Sequence, residues 1–487
     1  MLLLSILFPV LLGLGILLAR KFKNRKALLT LTGAGLIVTA ALGLGVVLGG
    51  ETELLLFSFG ENLDLYFHVD TMGKLFAVVV NAVWVLSGFF AFEYMKHERE
   101  EKRFFGFYLM VHGILHGLVF SGGMVTFYLF YELMTLLSVP LILHSRSGDA
   151  IKGGLKYLFY SLFGAYMVLF GLFFLNRFAN SLTFLPGGNL DLGAVAGNET
   201  LMRVVAFSAI LGFGVKAGMF PLHAWLPTAH PVAPAPASAV MSGIIVKMGV
   251  LGMIRVVYYL IGADFLRGTW VQTAWMSLAL VTVFMGSMLA YREKVMKKRL
   301  AYSTVSQASY ILFGLSLLQP EAMTGALLHV VFHAVIKSCL FLSAGAIIYK
   351  THKTNVSELR GIGKEMPVAI WCYTFASAAL IGIPPASGFI SKWYLATGAL
   401  ASGVEVFSWL GPVVLLTSAL LTAGYLLPIT VNGFLPGAEY PYGELKKKEP
   451  NLTMLLPLLI LAALAVLLGI FPGALTAYIT ELVNTVL

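Results

Sequence analysis

The sequence predicts an all-α polytopic membrane protein with about fourteen transmembrane helices. Of its 487 residues, 59% are hydrophobic and 11% are charged, whereas a soluble domain contains about 25% charged residues. Apolar stretches of about 20 residues, the length that a helix needs to cross a bilayer, recur along the whole chain. The loops between them alternate between strongly basic and weakly charged, which is the pattern that orients helices in a membrane.

The predicted spans lie near residues 2–19, 29–49, 71–95, 104–120, 123–143, 154–176, 201–222, 238–262, 270–291, 301–318, 322–349, 367–395, 407–433 and 451–473. Residues 51–70 differ from them, because two short runs of alternating polarity flank a turn at Gly60-Glu61-Asn62. This pattern predicts one short extracellular β-hairpin on the membrane surface.

Basic residues concentrate in alternate loops and account for the formal net charge of +10. The loop after span one contains Arg20, Lys21, Lys23, Arg25 and Lys26, and the loop after span nine contains Arg292, Lys294, Lys297, Lys298 and Arg299. Positively charged loops beside membrane spans stay in the cytoplasm. We therefore expect an integral plasma-membrane protein with both termini outside, whose charge requires no nucleic-acid partner.

Seven ionisable side chains interrupt the apolar spans, and each is a functional candidate because a charge in hydrocarbon costs about 3 kcal/mol or more. They are Glu132 in span five, Lys216 in span seven, Lys247 in span eight, His329, His333 and Lys337 in span eleven, and Lys392 in span twelve. A line of such groups through a bundle is typical of proton and ion transport.

The three candidates in span eleven are four residues apart, and each step of four on a helix drifts by only about 40°. His329, His333 and Lys337 therefore line one stripe. Histidine titrates near neutral pH, and a lysine removed from water can exchange its proton in the same range, so the stripe suits a proton relay. The alternative is a polar stripe that only holds helices together. Three groups in register, with four more buried charges elsewhere, favour transport.

Spans seven and twelve each place a lysine beside helix-breaking residues. Gly218 and Pro221 follow Lys216, and a Pro-Pro dipeptide precedes Lys392. Broken helices at membrane depth line a cavity or are buried in protein, and paired interrupted spans indicate an inverted repeat. The two spans are five apart, so they cross in opposite directions, although simple kinks are the alternative.

The predicted organisation of the chain has four parts. They are 1–103 with the first three helices and the hairpin, 104–262 with the first five-helix repeat, 263–433 with the second, inverted repeat, and 434–487 with helix fourteen and a tail.

Other ionisable residues are weaker candidates. His112 and His116 form an i, i+4 pair in span four that can support the bundle or face a cytoplasmic vestibule. Near the ends of spans, Asp70, Lys74 and Arg255 are expected to extend to the interface, as long charged side chains do there.

Several common catalytic signals are missing from the sequence. It has no phosphate-binding glycine loop, no nucleotide fingerprint and no cysteine set for an iron–sulfur cluster. Cys339 and Cys372 each lie in an apolar stretch without metal-ligand spacing. We therefore predict no cofactor, no metal and no catalytic centre on this chain, so that energy comes from an ion gradient or a partner subunit.

Five sequence motifs resemble those of a known family. They are YELMTLLS around Glu132, GVKAGMFPLHAWLPTAHPVAPAPASAVMSG at 214–243, KRLAYSTVSQASY at 298–310, HVVFHAVIKSCLFLSAGAI at 329–347 and GIPPASGFISKW at 382–393. By these motifs the chain resembles the antiporter-like membrane subunits of respiratory complex I, of multisubunit sodium/proton (Mrp) antiporters and of energy-converting hydrogenases. The resemblance covers nearly the whole chain. It implies fourteen helices in two inverted five-helix repeats, with helices seven and twelve broken.

The resemblance also implies roles for the candidates. Glu132 and Lys216 match the paired carboxylate and lysine of the first half-channel, and Lys247 matches the lysine that passes protons to the centre. The stripe in span eleven matches the central relay, and Lys392 matches the terminal lysine of the second half-channel. His223 and His230 lie within the motif at 214–243 and are further, weaker candidates.

The leading functional hypothesis is a proton-translocating subunit of a membrane-bound hydrogenase-type or complex I-related oxidoreductase. Implied partners are further antiporter-like subunits, a peripheral redox module, the lipid bilayer and protons, with sodium left open. The D-type subunit of an Mrp sodium/proton antiporter is the alternative within the family. A stand-alone transporter of a small solute and a purely structural membrane protein are alternatives of other classes. The buried polar groups form a line and not a ring around a pocket, which disfavours the solute transporter.

Overall fold

The computed structural model describes residues 1–20, 22, 24–60, 62–437, 440 and 447–487. Its first elements are α1 (Leu2–Leu18), α2 (Arg25–Leu48), β1 (Glu53–Ser58), β2 (Asp64–His68) and α3 (Thr71–Tyr94). The predicted hairpin is confirmed, because β1 and β2 pair antiparallel with Glu53 opposite His68. Glu61 of its turn lies outside the described residues, as do Lys21 and Lys23 of the first basic loop.

The middle of the chain contains the first broken helix and a long buried rod. Its elements are α4 (Glu101–Val119), α5 (Met124–Ile142), α6 (Gly148–Phe178), α7 (Leu192–Val195), α8 (Glu199–Ala217), α9 (Leu226–Val232), α10 (Ala235–Val240) and α11 (Val246–Ile254). The π-helical turn Met241–Ile245 joins α10 to α11, and a second, Arg255–Ile261, extends α11, so that 235–261 form one continuous helix, here called the central rod.

The remainder of the chain contains the second broken helix. Its elements are α12 (Ala263–Leu266), α13 (Trp270–Arg292), α14 (Met296–Ser316), α15 (Pro320–Thr351), α16 (Ile362–Glu365), α17 (Pro367–Ile381), α18 (Ser387–Ala401), α19 (Glu405–Phe434), α20 (Leu452–Ile470) and α21 (Gly473–Val486). The tail expected after helix fourteen is thus partly the helix α21, which buries Ile479, Leu482 and Val483.

Ten helices in the described part of the chain are long and apolar enough to cross a membrane. They are α2, α3, α5, α6, α8, the central rod, α13, α15, α19 and α20, and the shorter α1 and α17 are also apolar. The chain is therefore a multi-pass membrane protein built from helices. The count of fourteen spans and the repeats stay predictions.

The helices of spans seven and twelve are broken where the sequence predicts. α8 ends at Ala217, where Gly218 adopts a left-handed φ of 78°, and the chain becomes helical again in α9. α17 ends at Ile381, where Gly382 has a φ of 94°, and α18 follows. Glycine adopts these angles without steric cost. Each break leaves carbonyl groups at a helix end without an intrahelical partner, and a nearby lysine can bind them.

The centre of the molecule is formed by α15 and the central rod, which are buried along almost their whole length. α15 packs against α14, α17, α18 and α20, and the central rod packs against α15 and α8. Both central helices carry ionisable candidates, so these side chains lie away from lipid, surrounded by protein.

Asp70 and Arg255 do not extend to the membrane surface as expected. Arg255 is 1% exposed and its two terminal nitrogens donate to the two Asp70 carboxylate oxygens at 2.5 and 2.7 Å. The guanidinium lies 5.0 Å from the Phe184 ring centroid and 4.7 Å from that of Tyr259. A bidentate pair satisfies both charges, which is why they can be buried between α3 and the central rod.

Candidate functional site

The Lys216 amine lies in the last turn of α8 and is surrounded by hydroxyl groups. Its Nζ donates to Thr135 Oγ1 at 2.9 Å, to Tyr157 Oη at 3.1 Å and to Ser161 Oγ at 2.8 Å. An ammonium group has three donors, so all three are used. The three hydroxyls lie on α5 and α6, and all of them are neutral. In the described structure, the buried amine of α8 is therefore held without a direct counter-ion.

Glu132 lies one turn before Thr135 on α5 and is half-buried. Its Oε1 is buried without a hydrogen-bond partner among the described residues. No hydrogen bond or salt bridge joins Glu132 to Lys216 among the described residues, and the lysine amine donates to the three hydroxyls instead. The carboxylate therefore has a free oxygen near a lysine that it does not touch.

Lys247 binds a backbone carbonyl of the π-helical turn that precedes it. Its Nζ donates to the Ser242 carbonyl oxygen at 2.5 Å, within the turn Met241–Ile245. A π-turn shifts the regular hydrogen-bond pattern and is frequent at functional sites. The Ser242 hydroxyl, in turn, lies 2.7 Å from Thr304 Oγ1 on α14.

The link from Lys247 continues to the stripe in α15. Thr304 Oγ1 donates to the Leu300 carbonyl at 3.0 Å, and Lys337 Nζ donates to the same oxygen at 2.8 Å. A chain of contacts thus runs from Lys247 through Ser242, Thr304 and Leu300 to Lys337. Ser242 and Thr304 were not predicted from the sequence, although both lie in quoted motifs, because hydroxyl residues carry no distinctive spacing.

The two histidines of the stripe are stacked, as the i, i+4 spacing predicts. The His329 and His333 ring centroids are 5.6 Å apart with an interplanar angle of 13°. His329 Nδ1 lies 2.9 Å from Ser391 Oγ on α18. Both ring nitrogens of His333 are buried without a partner among the described residues. The stripe therefore connects α15 to the second broken helix and keeps one imidazole free to exchange protons.

Lys392 lies just after the second break and binds the carbonyls that the break releases. Its Nζ donates to the Leu380 carbonyl at 2.6 Å and to the Ile381 carbonyl at 2.9 Å, at the C-terminus of α17. This helix end carries partial negative charge that favours a cation. The amine also lies 5.1 Å from the Tyr310 ring centroid, and that ring stacks on His329. Lys392 thus adjoins the stripe in α15.

His230 lies closer to the central groups than the sequence indicated. It is fully buried in α9, and its ring stacks on Phe341 with centroids 4.8 Å apart. The Lys337 amine lies 5.5 Å from the same Phe341 ring. Nearby, Lys297 donates to the Pro231 carbonyl at 3.1 Å and lines a cavity of 160 Å³. His223, in contrast, is only half-buried and stacks on Phe220 within the break.

His112 and His116 form a separate cluster. Both Nε2 atoms face Asn81 Oδ1, at 3.0 and 3.1 Å, and His116 Nδ1 lies 3.0 Å from the Ser5 carbonyl oxygen. The cluster joins α1, α3 and α4. Within the described chain, none of its hydrogen bonds leads to the lysines of spans seven, eight, eleven or twelve, so the supporting role is favoured for this pair.

Comparisons with known proteins agree with this architecture. A family model described as "NADH:quinone oxidoreductase/Mrp antiporter, TM" matches residues 121–422, and "NADH-Ubiquinone oxidoreductase (complex I), chain 5 N-terminus" matches residues 57–105. The first match covers more than half of the chain. The chain belongs to this antiporter-like family. All seven candidates in the apolar spans lie inside the first match, whereas His112 and His116 lie between the two.

Similar proteins in the family come from different complexes. The chain is 32% identical over 384 residues to NADH-quinone oxidoreductase subunit N of Desulforudis audaxviator, which covers 77% of this chain and 75% of the relative. It is 31% identical over 434 residues to hydrogenase-4 component B of Escherichia coli, covering 84% and 63%. A chain in the Mrp complex from Dietzia sp. DQ12-45-1b has a similar fold, with a TM-score of 0.86, 22% identity and coverage of 100% and 97%.

Proposed function

We propose that this chain translocates protons along the buried line formed by Glu132, Lys216, Lys247, His329, His333, Lys337 and Lys392. The observation that carries the proposal is the chain of contacts from Lys247 through Ser242, Thr304 and Leu300 to Lys337. It joins the lysine of the central rod to the stripe in α15 in the most buried part of the bundle. Without it, Lys247 would have no connection to the stripe in α15.

The chemistry of the link suits proton movement. A serine or threonine hydroxyl both donates and accepts hydrogen bonds, so Ser242 and Thr304 can pass a proton, whereas the two carbonyls only hold the amines in place. The amines of Lys216, Lys247, Lys337 and Lys392 are hydrogen-bonded to hydroxyl or carbonyl groups. Because these partners are neutral, an amine that loses its proton does not leave a buried counter-charge unpaired. A transfer between Lys247 and Lys337 therefore requires each amine to leave its carbonyl and bond to the neighbouring hydroxyl, after which the proton moves through Ser242 and Thr304.

Buried polar side chains in the second half extend the line toward an exit. Their side-chain polar atoms have no partner among the described residues, and buried polar groups of this kind are usually hydrogen-bonded to ordered water. They are Gln307 and Ser309 on α14, Ser343 on α15, Tyr373 and Ser377 on α17, and Ser387 on α18. We propose that water bound to these groups hydrates the second half of the bundle.

The two broken helices support the finer architecture that we propose: fourteen spans, with inverted five-helix repeats over 104–262 and 263–433. Each break follows an apolar helix and begins at a left-handed glycine. The two lysines differ in their position relative to the break: Lys216 lies before the first break and Lys392 lies after the second. The basic loops support a plasma-membrane protein with its hairpin and both termini outside.

The relatives and the structural neighbour come from multisubunit assemblies, which supports a similar setting for this chain. We propose that it works beside further antiporter-like subunits and a peripheral redox module, in a membrane-bound hydrogenase-type or complex I-related oxidoreductase. An Mrp-type antiporter with sodium exchange is the alternative. The linear arrangement of the buried groups disfavours a stand-alone solute transporter.

Glu132→Gln is expected to reduce proton flux by about tenfold or more, because a positioned proton-transfer group contributes about 10²–10⁴-fold. Glutamine keeps nearly the same size as glutamate but carries no charge and cannot take up or release a proton. Flux is measured with a pH-sensitive dye in membrane vesicles that contain matched amounts of the assembled complex. Glu405→Gln, an exposed position at the start of α19, is the control. Control-level flux in Glu132→Gln would count against the pairing with Lys216.

His333→Ala is expected to lower flux more than His112→Ala does. The first removes an imidazole from the stripe in α15, whereas the second removes a ring that is bonded only to Asn81 in a separate cluster. The same vesicle assay ranks the two variants, with assembly checked for each. The reverse order would refute the stripe as the central relay.

A further inference from the structure

A polar pocket lies at the end of the bundle that carries the basic loops, away from the proposed proton line. It has a volume of 470 Å³ and is formed by the segment before α4 and the loop after α5. Three arginines line it: Arg99, Arg103 and Arg146. None of them forms an ion pair with a carboxylate among the described residues. The pocket thus holds three guanidinium groups without an ion pair to a described carboxylate.

Two residues that line this pocket, Arg103 and His144, have buried polar atoms without partners among the described residues. His144 is 3% exposed, and neither of its ring nitrogens makes a hydrogen bond of good geometry among the described residues. Burial, together with the nearby charges of Arg103 and Arg146, lowers the pKa of His144 to about 4, while the Arg99 backbone and Glu100 oppose this shift. Arg103 donates to the His144 carbonyl, yet its Nε is buried and unpaired among the described residues. Unsatisfied buried groups are rare, so these atoms point to a bound acceptor.

Two carboxylates also line the pocket, but neither forms an ion pair with its arginines among the described residues. Glu98 is shared with the neighbouring cavity, where it lies near Lys297. Glu100 is exposed at the rim. Arg99 and Arg146 are exposed as well. The pocket therefore presents guanidinium groups and an imidazole, which match the oxygens of a phosphate group, because guanidinium groups bind such oxygens in pairs.

We propose that this pocket binds the phosphate group of an anionic membrane lipid. It lies just beyond the apolar spans, and the adjoining helices α5 and α6 present exposed apolar side chains, among them Leu136 and Ile151, along which acyl chains can pack. Basic pockets at the cytoplasmic ends of membrane helices are known to hold anionic headgroups. The proposal does not depend on proton translocation, so either can fail without the other.

The test uses the purified, delipidated complex in neutral phosphatidylcholine nanodiscs, with phosphatidylglycerol added stepwise and bound lipid counted by native mass spectrometry. Arg146→Gln is expected to weaken phosphatidylglycerol binding by about fivefold, the effect of one basic residue near an anionic lipid. Arg103→Gln should act in the same direction. Arg292→Gln, an exposed arginine of another basic loop, is the matched control and should bind like the wild type.

Competition identifies the ligand. Inorganic phosphate at millimolar concentration is expected to leave lipid binding unchanged, because it lacks the acyl chains. If it displaces the lipid at equal concentration, the pocket is a free-phosphate site and the lipid assignment is wrong. The proposal is also overturned if Arg146→Gln binds phosphatidylglycerol as tightly as Arg292→Gln, which is the expected outcome when a carboxylate of a partner subunit fills the pocket instead.

Discussion

Lys337→Met is expected to reduce proton flux by about a hundredfold, the lower range for loss of a positioned proton-transfer group. The Lys337 amine is the point where the link from Lys247 enters the stripe in α15, and methionine cannot carry a proton. The substitution should not unfold the protein. The Leu300 carbonyl keeps its hydrogen bond from Thr304, and an unbranched apolar side chain fits the fully buried site. Flux is measured in the dye assay with matched amounts of complex.

The control for this variant lies on the same helix. Lys350 is exposed in the last turn of α15, so Lys350→Met removes the same charge from the same element without touching the link. Its flux should equal that of the wild type. If Lys337→Met also retains wild-type flux, the contacts through Ser242 and Thr304 are structural and the halves are joined elsewhere.

Lys392→Arg is expected to lose most of the proton flux while the fold and the local positive charge are kept. Arginine donates to the Leu380 and Ile381 carbonyls as lysine does, but it stays protonated in proteins and cannot release a proton. Lys392→Glu should retain part of the flux, because a buried carboxyl can titrate near neutral pH. The measurement is proton uptake by proteoliposomes containing the assembled complex.

The control for the arginine variant is Lys364→Arg, an exposed lysine on α16. It should leave flux unchanged. A Lys392→Arg variant that pumps like this control would make Lys392 a fixed charge that caps the end of α17, and the exit would have to involve other groups.

The sequence predicted those parts of the site that depend on residues close together in the chain. Glu132, Lys216 and Lys247 are charges in apolar stretches, which water-to-lipid energetics make rare. His329, His333 and Lys337 share a helical period, so their alignment follows from geometry alone. The broken helices were predictable for the same reason, because glycine and proline close to a lysine in an apolar span indicate a helix break.

The parts that the sequence could not predict depend on contacts between distant segments. Asp70 and Arg255 are 185 residues apart, so nothing local indicated that they neutralise each other inside the protein. The hydroxyls of Thr135, Tyr157 and Ser161, on α5 and α6, bind the Lys216 amine, although nothing near Lys216 in the sequence indicated them. Ser242 and Thr304 are common residue types, and only the π-turn and the packing of α14 bring them together.

The central claim is that a single line runs through both halves of the chain. The most direct test compares proton flux in Lys216→Met, Lys392→Met and the double variant, at matched assembly, in the same vesicles. A single line predicts that each single variant loses nearly all flux and that the double variant is no worse. If each single variant instead retains about half of the flux and only the double variant abolishes it, the halves conduct independently and the link from Lys247 to Lys337 does not carry protons.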